Sequence, residues 1–474
     1  MSPTATPTTP TTPPATAPTG SAGSRASAAL VFVAVVVLAS GVLAQLVGPF
    51  IRRDDWPFLL PAGTPGAADP ILKVEGEGRW LSYAWWLVVG QHGTPTTAVV
   101  VFFAAYVLFV VGLWRLFRVT GRVTGVLLGA ALLVSPLWIR LIYWPGTLSA
   151  SAVVAAAGVW TLPWAATRRR GLAAWVVVVA VLSVLTYPPV GGLLLIAAAV
   201  HLRNRPWKDL LLLVGGFLVG FATGVVVVSV ANLVAFGSFG PEIAAWRNPN
   251  QLGSLGDLLV NARRYKRQLL GIRTTLGPAG VVGLVSAVLA LLDPRVRPVL
   301  LKVFLAVAVV AGLECAQTLV TGVRTNVRGS LWAWLAVVLP GALLLAGSTW
   351  SRRAGQASLL VLAVIGLFAW RSDIGAHQAT KRGYDDIVAS AVQSSASDPA
   401  REVVFFQDPA ERRTARGQIT AGTLRMMFFE EAGIVVRWCR ASECTQLASR
   451  ADQGPVHDLG SVTGVVVPSP PAVL

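Results

Sequence analysis

The sequence predicts an all-α polytopic membrane protein of about eleven transmembrane helices, with a small α/β extracytoplasmic domain at its C-terminal end. Only 13% of the 474 residues are charged and mean hydropathy is +0.65, whereas about a quarter of a soluble domain is charged. Charge-free runs such as 281–292, 303–313 and 331–347 lie within stretches long enough to cross ~30 Å of hydrocarbon. After Arg371 the sequence becomes more polar, which indicates a separate domain.

The N-terminal segment differs from the rest of the chain. Residues 1–24 are almost all Pro, Thr, Ser, Ala and Gly, a composition that cannot bury a core, so residues 1–27 are predicted to be a disordered cytoplasmic tail. The apolar run 28–50 follows. A signal peptide is one interpretation, because small residues surround Ala44, but the length of the run favours an uncleaved anchor that begins a transmembrane domain over 28–370.

Ten further spans are predicted from apolar runs: 95–113, 123–139, 147–166, 171–187, 189–202, 209–233, 278–292, 299–320, 331–348 and 357–370. Every second short loop between them is rich in arginine, as in Arg168-Arg169-Arg170, and basic loops remain in the cytoplasm. The segment 171–202 is interrupted at Tyr187-Pro188 and is read as two short helices. A single broken helix would reverse the orientation of all later loops, and the alternation of charge argues against it.

This orientation places four segments on the outer face: the loops 51–94 and 234–277, the turn 140–146, and the tail 371–474. Within the tail, 384–395 is predicted as a helix, and 402–406, 434–438 and 462–467 as strands. The domain is short for an independent core, so we expect it to dock on the membrane part. Cys439 and Cys444 lie close together in it. A disulfide between them would require an oxidising compartment, and both states remain open at this point.

The first outer loop begins with two adjacent carboxylates, Asp54 and Asp55. A carboxylate at a low-dielectric boundary gains basicity, which suits a general base, whereas the arginines beside the pair act in the opposite direction. A solvated loop or a helix N-cap is the competing interpretation. Glu75, Glu77 and Arg79 follow in the same loop and precede a segment with the pattern of an interfacial helix.

Other polar residues are expected at the outer face. Glu314 and Gln317 share one face of a predicted span, and an ionisable residue within a span indicates a functional site, although a structural ion pair is the alternative. Arginines on the outer side contradict the usual charge bias, and they suit phosphate binding or contact with anionic lipid headgroups. These arginines are Arg263, Arg264, Arg324 and Arg328.

The sequence has no P-loop, dinucleotide fingerprint, zinc-ligand spacing or G-x-S-x-G motif, and its arginines lie in short loops, which argues against nucleic-acid binding. One transmembrane helix, an outer loop with Asp54-Asp55 and an interfacial helix after Gly78-Arg79-Trp80 resemble the GT-C class of polyprenyl-phosphate-sugar-dependent glycosyltransferases. The pattern is similar to the O-antigen glucosyltransferase-like proteins and to the actinobacterial arabinofuranosyl- and mannosyltransferases. The resemblance covers mainly residues 28–95.

The resemblance implies an inverting transfer of sugar from a polyprenyl-phosphate donor to a glycan or glycolipid acceptor, at the outer face of the cell membrane. One aspartate of the pair would act as the base, and the other would orient the acceptor or hold a divalent cation such as Mg or Ca. The outer arginines would stabilise the phosphate leaving group. The expected substrate cavity contains six residues: Glu75, Glu77, Arg79, Tyr143, Glu314 and Gln317.

Two other classes of function fit the same spans. A transporter or lipid-linked-sugar flippase would use Glu314 in its pathway, together with helix breaks such as Tyr187-Pro188, although no internal repeat is apparent. A non-catalytic scaffold would bind a partner through its tail domain. An enzyme should gather Asp54, Asp55, Glu314 and outer arginines round one outward cavity, whereas a transporter should place its polar site near the midplane.

Overall fold

The computed structural model describes residues 40–65, 67, 69–119, 121–243, 247–395 and 401–470. The predicted tail and most of the first predicted span lie outside the described residues. The last part of that span appears as the short helix Val42–Val47. The helices are α1 Val42–Val47, α2 Ile71–Glu77, α3 Trp80–Val88, α4 Pro95–Leu116, α5 Arg122–Leu133, α6 Pro145–Ala165, α7 Arg169–Thr186, α8 Pro189–His201, α9 Trp207–Phe236, α10 Leu255–Leu276, α11 Pro278–Leu292, α12 Arg297–Thr321, α13 Trp332–Leu344, α14 Thr349–Ser395, α15 Pro409–Arg412, α16 Ala415–Ala432 and α17 Ala441–Arg450.

Six of the described helices are long and apolar enough to cross a membrane: α4, α6, α7, α9, α12 and α14. Helices α10 and α11 together form a seventh candidate, bent by 94° between them. The predicted spans also included α5, α8 and α13, which have 12 or 13 residues and therefore rise only about 20 Å. The chain thus has the helices of a membrane protein, with shorter apolar helices packed among them.

Helix α8 is the centre of the membrane part, because every residue from Val190 to Val200 is buried. It follows α7 after the break at Tyr187-Pro188, so the segment 171–202 forms two helices. Helices α7 and α9 pack closely through glycines spaced four residues apart. A Cβ atom at Gly220 would lie 2.7 Å from the carbonyl oxygen of Val177, and small residues at this spacing are typical of tightly packed membrane helices.

The segment predicted as the outer loop 234–277 contains the 22-residue helix α10. Its buried residues, Asn261, Gln268, Ile272 and Leu276, recur at helical spacing and lie on one face. The exposed residues mix charged side chains such as Arg263 and Arg267 with leucines such as Leu255 and Leu259, so the sequence of this helix does not resemble that of a transmembrane span. The nearly right-angled bend at Gly277 fits a helix that lies along the membrane surface before α11 turns into it.

Helix α14 runs without a break through the predicted boundary at residue 371 and has 47 residues, or about 70 Å. Its C-terminal part packs against helix α16 and a four-stranded sheet of order β2-β1-β4-β3. The strands are β1 Glu402–Phe406, β2 Arg437–Trp438, β3 Val456–Asp458 and β4 Val462–Val466. Strand β1 is parallel to β2 and β4, whereas β3 is antiparallel to β4.

Two of the strands predicted for the C-terminal domain are present almost as predicted, at 402–406 and 462–466. The strand predicted at 434–438 has only two residues, and β3 and α16 were not predicted. Cys439 and Cys444 form a disulfide, with their Cα atoms 5.3 Å apart, which ties the end of β2 to α17. Helix α16 contacts the 3-10 helix Arg53–Phe58. The domain therefore docks on the loop 51–94 of the membrane part, as its small size led us to expect.

Candidate functional site

Asp54 and Asp55 lie in the 3-10 helix Arg53–Phe58, but their side chains have opposite surroundings. Asp55 is fully buried. Its carboxylate accepts hydrogen bonds from the backbone N–H groups of Gly146 and Thr147, both at 2.7 Å, and from Oγ1 of Thr147 at 2.5 Å. These N–H groups belong to the first turn of α6 and have no partner within that helix. Asp55 therefore caps α6 from a distant segment.

Burial raises the pKa of Asp55 to about 6, assisted by the negative charge of Asp54 and opposed by the hydrogen bonds from Thr147 and Gly146. This is the direction expected of a carboxylate near a low-dielectric boundary. Both oxygens of Asp55 are, however, already engaged, and no part of the side chain reaches solvent. Asp55 is placed to hold the fold of the site.

Asp54 is the exposed member of the pair, with 51% of its side chain accessible. Its Oδ1 accepts a 2.6 Å hydrogen bond from the Trp144 indole, and its Oδ2 lies 3.3 Å from Lys73 Nζ. Desolvation by the surrounding protein pushes the pKa of Asp54 upward, but the charges of Lys73 and Arg328 and these hydrogen bonds outweigh it and lower the pKa to about 2. The prediction that Asp54 gains basicity is wrong, because the neighbouring cations and hydrogen-bond donors lower its pKa by more than desolvation raises it.

Trp144 connects Asp54 to two arginines. The Arg328 guanidinium lies 3.6 Å from the Trp144 ring centroid, and that of Arg52 lies 4.8 Å from it, which are favourable cation–π distances. Among the described residues, no hydrogen-bond acceptor or carboxylate pairs with the Arg328 guanidinium. Burial and the positive charge of Arg79 lower the pKa of Arg328, while Tyr187, Asp54 and Glu77 act in the opposite direction.

Glu77 holds a second group of cations beside Asp54. Its carboxylate lies 2.7 Å from Arg79 and 2.6 Å from Arg247. Desolvation raises the pKa of Glu77, but Arg79, Lys73 and Arg247 outweigh it, so the net shift is downward. Arg79 also lies 5.2 Å from the ring of Tyr187.

Together these residues form one cluster, which we call the Asp54 cluster: Lys73, Arg79, Arg247 and Arg328 with Asp54, Glu77, Trp144 and Tyr187. Four cationic side chains face two carboxylates. The excess of positive charge, next to aromatic faces and one exposed carboxylate, suits the binding of a phosphate group.

Glu314 contacts the segment that carries Arg328. Its carboxylate accepts hydrogen bonds from Ser330 at 2.5 Å, from Trp332 at 2.5 Å and from Gln268. Gln268 in turn accepts from the backbone N–H of Thr325 at 3.0 Å. Neutral donors thus satisfy both oxygens of Glu314, and the contacts fix the segment 322–331 against α10 and α12. Glu314 is placed to position Arg328.

Other residues predicted for the site lie apart from the Asp54 cluster. The Arg264 guanidinium donates hydrogen bonds to the carbonyl oxygens of Asn248 at 2.5 Å and Gly322 at 2.8 Å. Its role is therefore structural. Arg263, Arg324 and Gln317 are exposed and make no side-chain contact with the cluster among the described residues.

Tyr143 and Glu75, also predicted to line the substrate cavity, have structural contacts. The Tyr143 hydroxyl donates to Asp373 at 2.8 Å, and its ring stacks on His377 at 3.8 Å. The backbone oxygen of Glu75 accepts hydrogen bonds from Asn232 at 3.1 Å and from the N–H of Glu242 at 3.1 Å. Within the described residues its side chain has no hydrogen-bond partner.

The sequence analysis missed Lys73, Trp144, Tyr187 and Arg247 as members of the cluster. Lys73, Trp144 and Arg247 lie in segments predicted to face outward, which was the only available signal for them. Tyr187 lies at the predicted break between two spans. In the described part of the chain, no three His, Cys, Asp or Glu side chains are grouped closely enough to hold a metal ion.

Comparison of the chain with protein-family models, with curated proteins and with solved structures found no match. The chemistry of the site therefore has to be inferred from its own residues and geometry.

Proposed function

We propose that this protein is an inverting glycosyltransferase that moves a sugar from a polyprenyl-phosphate donor to a cell-envelope glycan or glycolipid acceptor. The observation that carries the proposal is the Asp54 cluster. In it the half-exposed carboxylate of Asp54 lies near Arg328, whose guanidinium has no hydrogen-bond acceptor among the described residues. An acceptor hydroxyl needs a base, and a departing phosphate needs positive charge. The cluster supplies both within one group of neighbouring side chains.

Asp54 is the base in this proposal. Asp55 holds the first turn of α6, the helix that Trp144 directly precedes. A carboxylate with a pKa of about 2 is a weak base toward a free alcohol. The acceptor hydroxyl becomes strongly acidic only as its oxygen bonds to the anomeric carbon, so Asp54 takes the proton late in the displacement. The low pKa keeps Asp54 ionised at every physiological pH.

The phosphate of the donor binds to Arg328, whose guanidinium has no competing carboxylate among the described residues. Arg79 and Arg247 add positive charge, and Glu77 orients them. As the bond to the anomeric carbon breaks, the polyprenyl phosphate leaves as an anion that needs no acid, and these cations stabilise the developing charge. Arg264 is assigned to the fold instead, because its donors are in use.

The proposed topology follows from the reaction. The N-terminus lies in the cytoplasm, about eleven apolar segments cross or enter the cell membrane, and the C-terminal domain is extracytoplasmic. The disulfide between Cys439 and Cys444 suits an oxidising compartment. The Asp54 cluster and the C-terminal domain then share the outer face, where a lipid-linked donor is accessible from the outer leaflet.

The alternative of a transporter with Glu314 in its pathway has less support. An ion-carrying carboxylate needs an exchangeable position, whereas three neutral donors, Gln268 of α10 and Ser330 and Trp332 before and in α13, hold Glu314.

The test is the release of polyprenyl phosphate by purified protein that is given a polyprenyl-phosphate sugar and glycan acceptors. Asp54→Asn should lower the rate at least 100-fold. Glu75→Gln is the matched control, because it neutralises a carboxylate of the same loop outside the cluster, and it should retain most of the activity. Full activity in Asp54→Asn would refute the assignment of the base.

A further inference from the structure

A cleft lies where the 3-10 helix Arg53–Phe58 meets the C-terminal domain. Its volume is about 260 Å³, and residues of the 3-10 helix, β1, β2 and α16 line it. The polar and aromatic members of its lining that matter here are Arg53, Arg412, Arg425, Arg437, Gln407 and Trp438. Arg53 directly precedes Asp54 in the chain, so this cleft adjoins the Asp54 cluster.

Arg53 extends across the boundary between the two parts of the molecule. Its Nη1 donates a 2.8 Å hydrogen bond to the carbonyl oxygen of Gln418. The side chain crosses α16 at Gly422, where an added Cβ atom would overlap it. The glycine thus leaves room for the arginine to enter the cleft.

Two of the arginines that line the cleft have no carboxylate partner among the described residues, so the cleft is positively charged. Arg437 is paired with Glu402 at 2.7 Å and Glu443 at 2.8 Å. Arg412, held 4.0 Å from the Trp438 ring, and Arg425 have no carboxylate partner among the described residues. Burial and the charge of Arg425 lower the pKa of Arg53, with Asp54 acting in the opposite direction.

Gln407 adds an independent sign of a ligand. Its side chain is only 4% exposed, and its Nε2 donates to the carbonyl oxygen of Gly417 at 3.0 Å. Its Oε1 is buried without a hydrogen-bond donor in the described part of the chain. An unsatisfied buried acceptor destabilises the folded protein, and a ligand hydroxyl in the cleft would satisfy it.

We propose that this cleft binds an anionic saccharide, a sugar that bears a carboxylate or a phosphate. Arg53, Arg412 and Arg425 hold the anionic group, and a sugar hydroxyl donates to Oε1 of Gln407. Trp438 keeps the guanidinium of Arg412 in place. In the proposed transfer this saccharide is part of the acceptor, and that role rests on the proposed function, whereas the binding site itself does not.

The experiment is a calorimetric titration of the full-length protein in nanodiscs of zwitterionic lipid. The probes are D-glucuronate, glucose 6-phosphate, neutral methyl glucoside and inorganic phosphate. We expect both charged sugars to bind at least 10-fold more tightly than methyl glucoside. Arg412→Gln and Arg425→Gln should each weaken their binding at least 5-fold, whereas Arg413→Gln, an exposed neighbour outside the cleft, should not.

Gln407→Leu separates a saccharide site from a simple anion site. It should weaken the binding of glucuronate while leaving that of inorganic phosphate unchanged. Thermal unfolding of each variant shows whether it folds like the wild type. Equal binding of methyl glucoside, or unchanged binding in both arginine variants, would overturn the proposal.

The two proposals fail in distinguishable ways. If the protein transfers sugar but binds none of the charged probes, the cleft has been misassigned. If glucuronate binds as described and no glycan that carries an acidic sugar ever accepts a sugar, the acceptor role is refuted and the binding site stands.

Discussion

The Trp144 indole donates a 2.6 Å hydrogen bond to Oδ1 of Asp54, and the same ring carries the guanidinium of Arg328 at 3.6 Å. The Trp144 side chain thus contacts both Asp54, the proposed base, and Arg328, the residue proposed to bind phosphate. Trp144 is itself the residue that precedes α6, which Asp55 caps. The acidic pair therefore acts as a unit in which Asp55 fixes the helix and Asp54 keeps its side chain half exposed.

Trp144→Phe should slow transfer about 10-fold without unfolding the protein. The substitution keeps an aromatic face for Arg328 but removes the hydrogen bond that helps to lower the pKa of Asp54. The rate of polyprenyl phosphate release and the thermal midpoint, measured on the same preparation, check this. Trp160→Phe, in the membrane part away from the cluster, is the control, and an equal loss in both variants would contradict the prediction.

Asp55→Asn should destabilise the protein by roughly 1–3 kcal/mol, because an amide nitrogen would face the N–H groups of α6 that the carboxylate satisfies. Asp54→Asn should unfold close to the wild type, since its side chain is half exposed. Denaturant unfolding in detergent checks the difference between the two variants. Equal stabilities would contradict the structural role assigned to Asp55.

The pH dependence of stability should also separate the two aspartates. The folded pKa of Asp55, about 6, is above its unfolded value of ~3.9. Its contribution is therefore fully present below pH ~4 and is lost as the pH rises through 6. The wild type should lose stability relative to Asp55→Asn across this range, as thermal midpoints between pH 4 and 7 will show. A parallel course of the two curves would contradict the buried state of the carboxylate.

Arg328→Gln should lower kcat/KM for the donor at least 50-fold, because it removes the only cluster guanidinium with no carboxylate partner among the described residues. Arg328→Lys should recover part of the activity, since a point charge replaces the planar fork. Arg324→Gln is the matched control, four residues away and exposed. If Arg324→Gln lost as much activity as Arg328→Gln, the placement of the phosphate would be wrong.

The disulfide between Cys439 and Cys444 predicts the number of reactive thiols. Denatured but unreduced protein from its native membrane should take up one maleimide, at Cys315, and three after reduction. Mass spectrometry of the intact protein reads this number directly. Three labels without reduction would contradict the disulfide and weaken the proposed outer location of the domain.

The sequence predicted most helices because long apolar runs in a membrane protein leave few other structures for the backbone. It did not predict α10, because charged residues such as Arg263, Arg264 and Lys266 interrupt the apolar runs on which a hydropathy analysis depends. Nor did it find α16 or β3, which form in a domain where tertiary packing decides between short elements.

For the site, the sequence identified Asp54, Glu77, Arg79 and Arg328 from charges in predicted outer loops. It had no means to separate Asp54 from Asp55, because the difference arises from the packing of α6 more than 90 residues later. Lys73 and Trp144 were missed for the same reason. Arg264 was included because residue type and side of the membrane do not show which guanidinium is already engaged, and Arg263 because they do not show which arginine lies near the cluster.

The most direct test of the central claim is the anomeric configuration of the product. Purified wild type is incubated with a polyprenyl-phosphate sugar of known configuration and a glycan acceptor, and the new linkage is assigned by NMR, with Asp54→Asn in parallel. The account predicts an inverted linkage in the wild type and at least a 100-fold lower yield in the variant. A retained configuration, or an equal yield from Asp54→Asn, would contradict it.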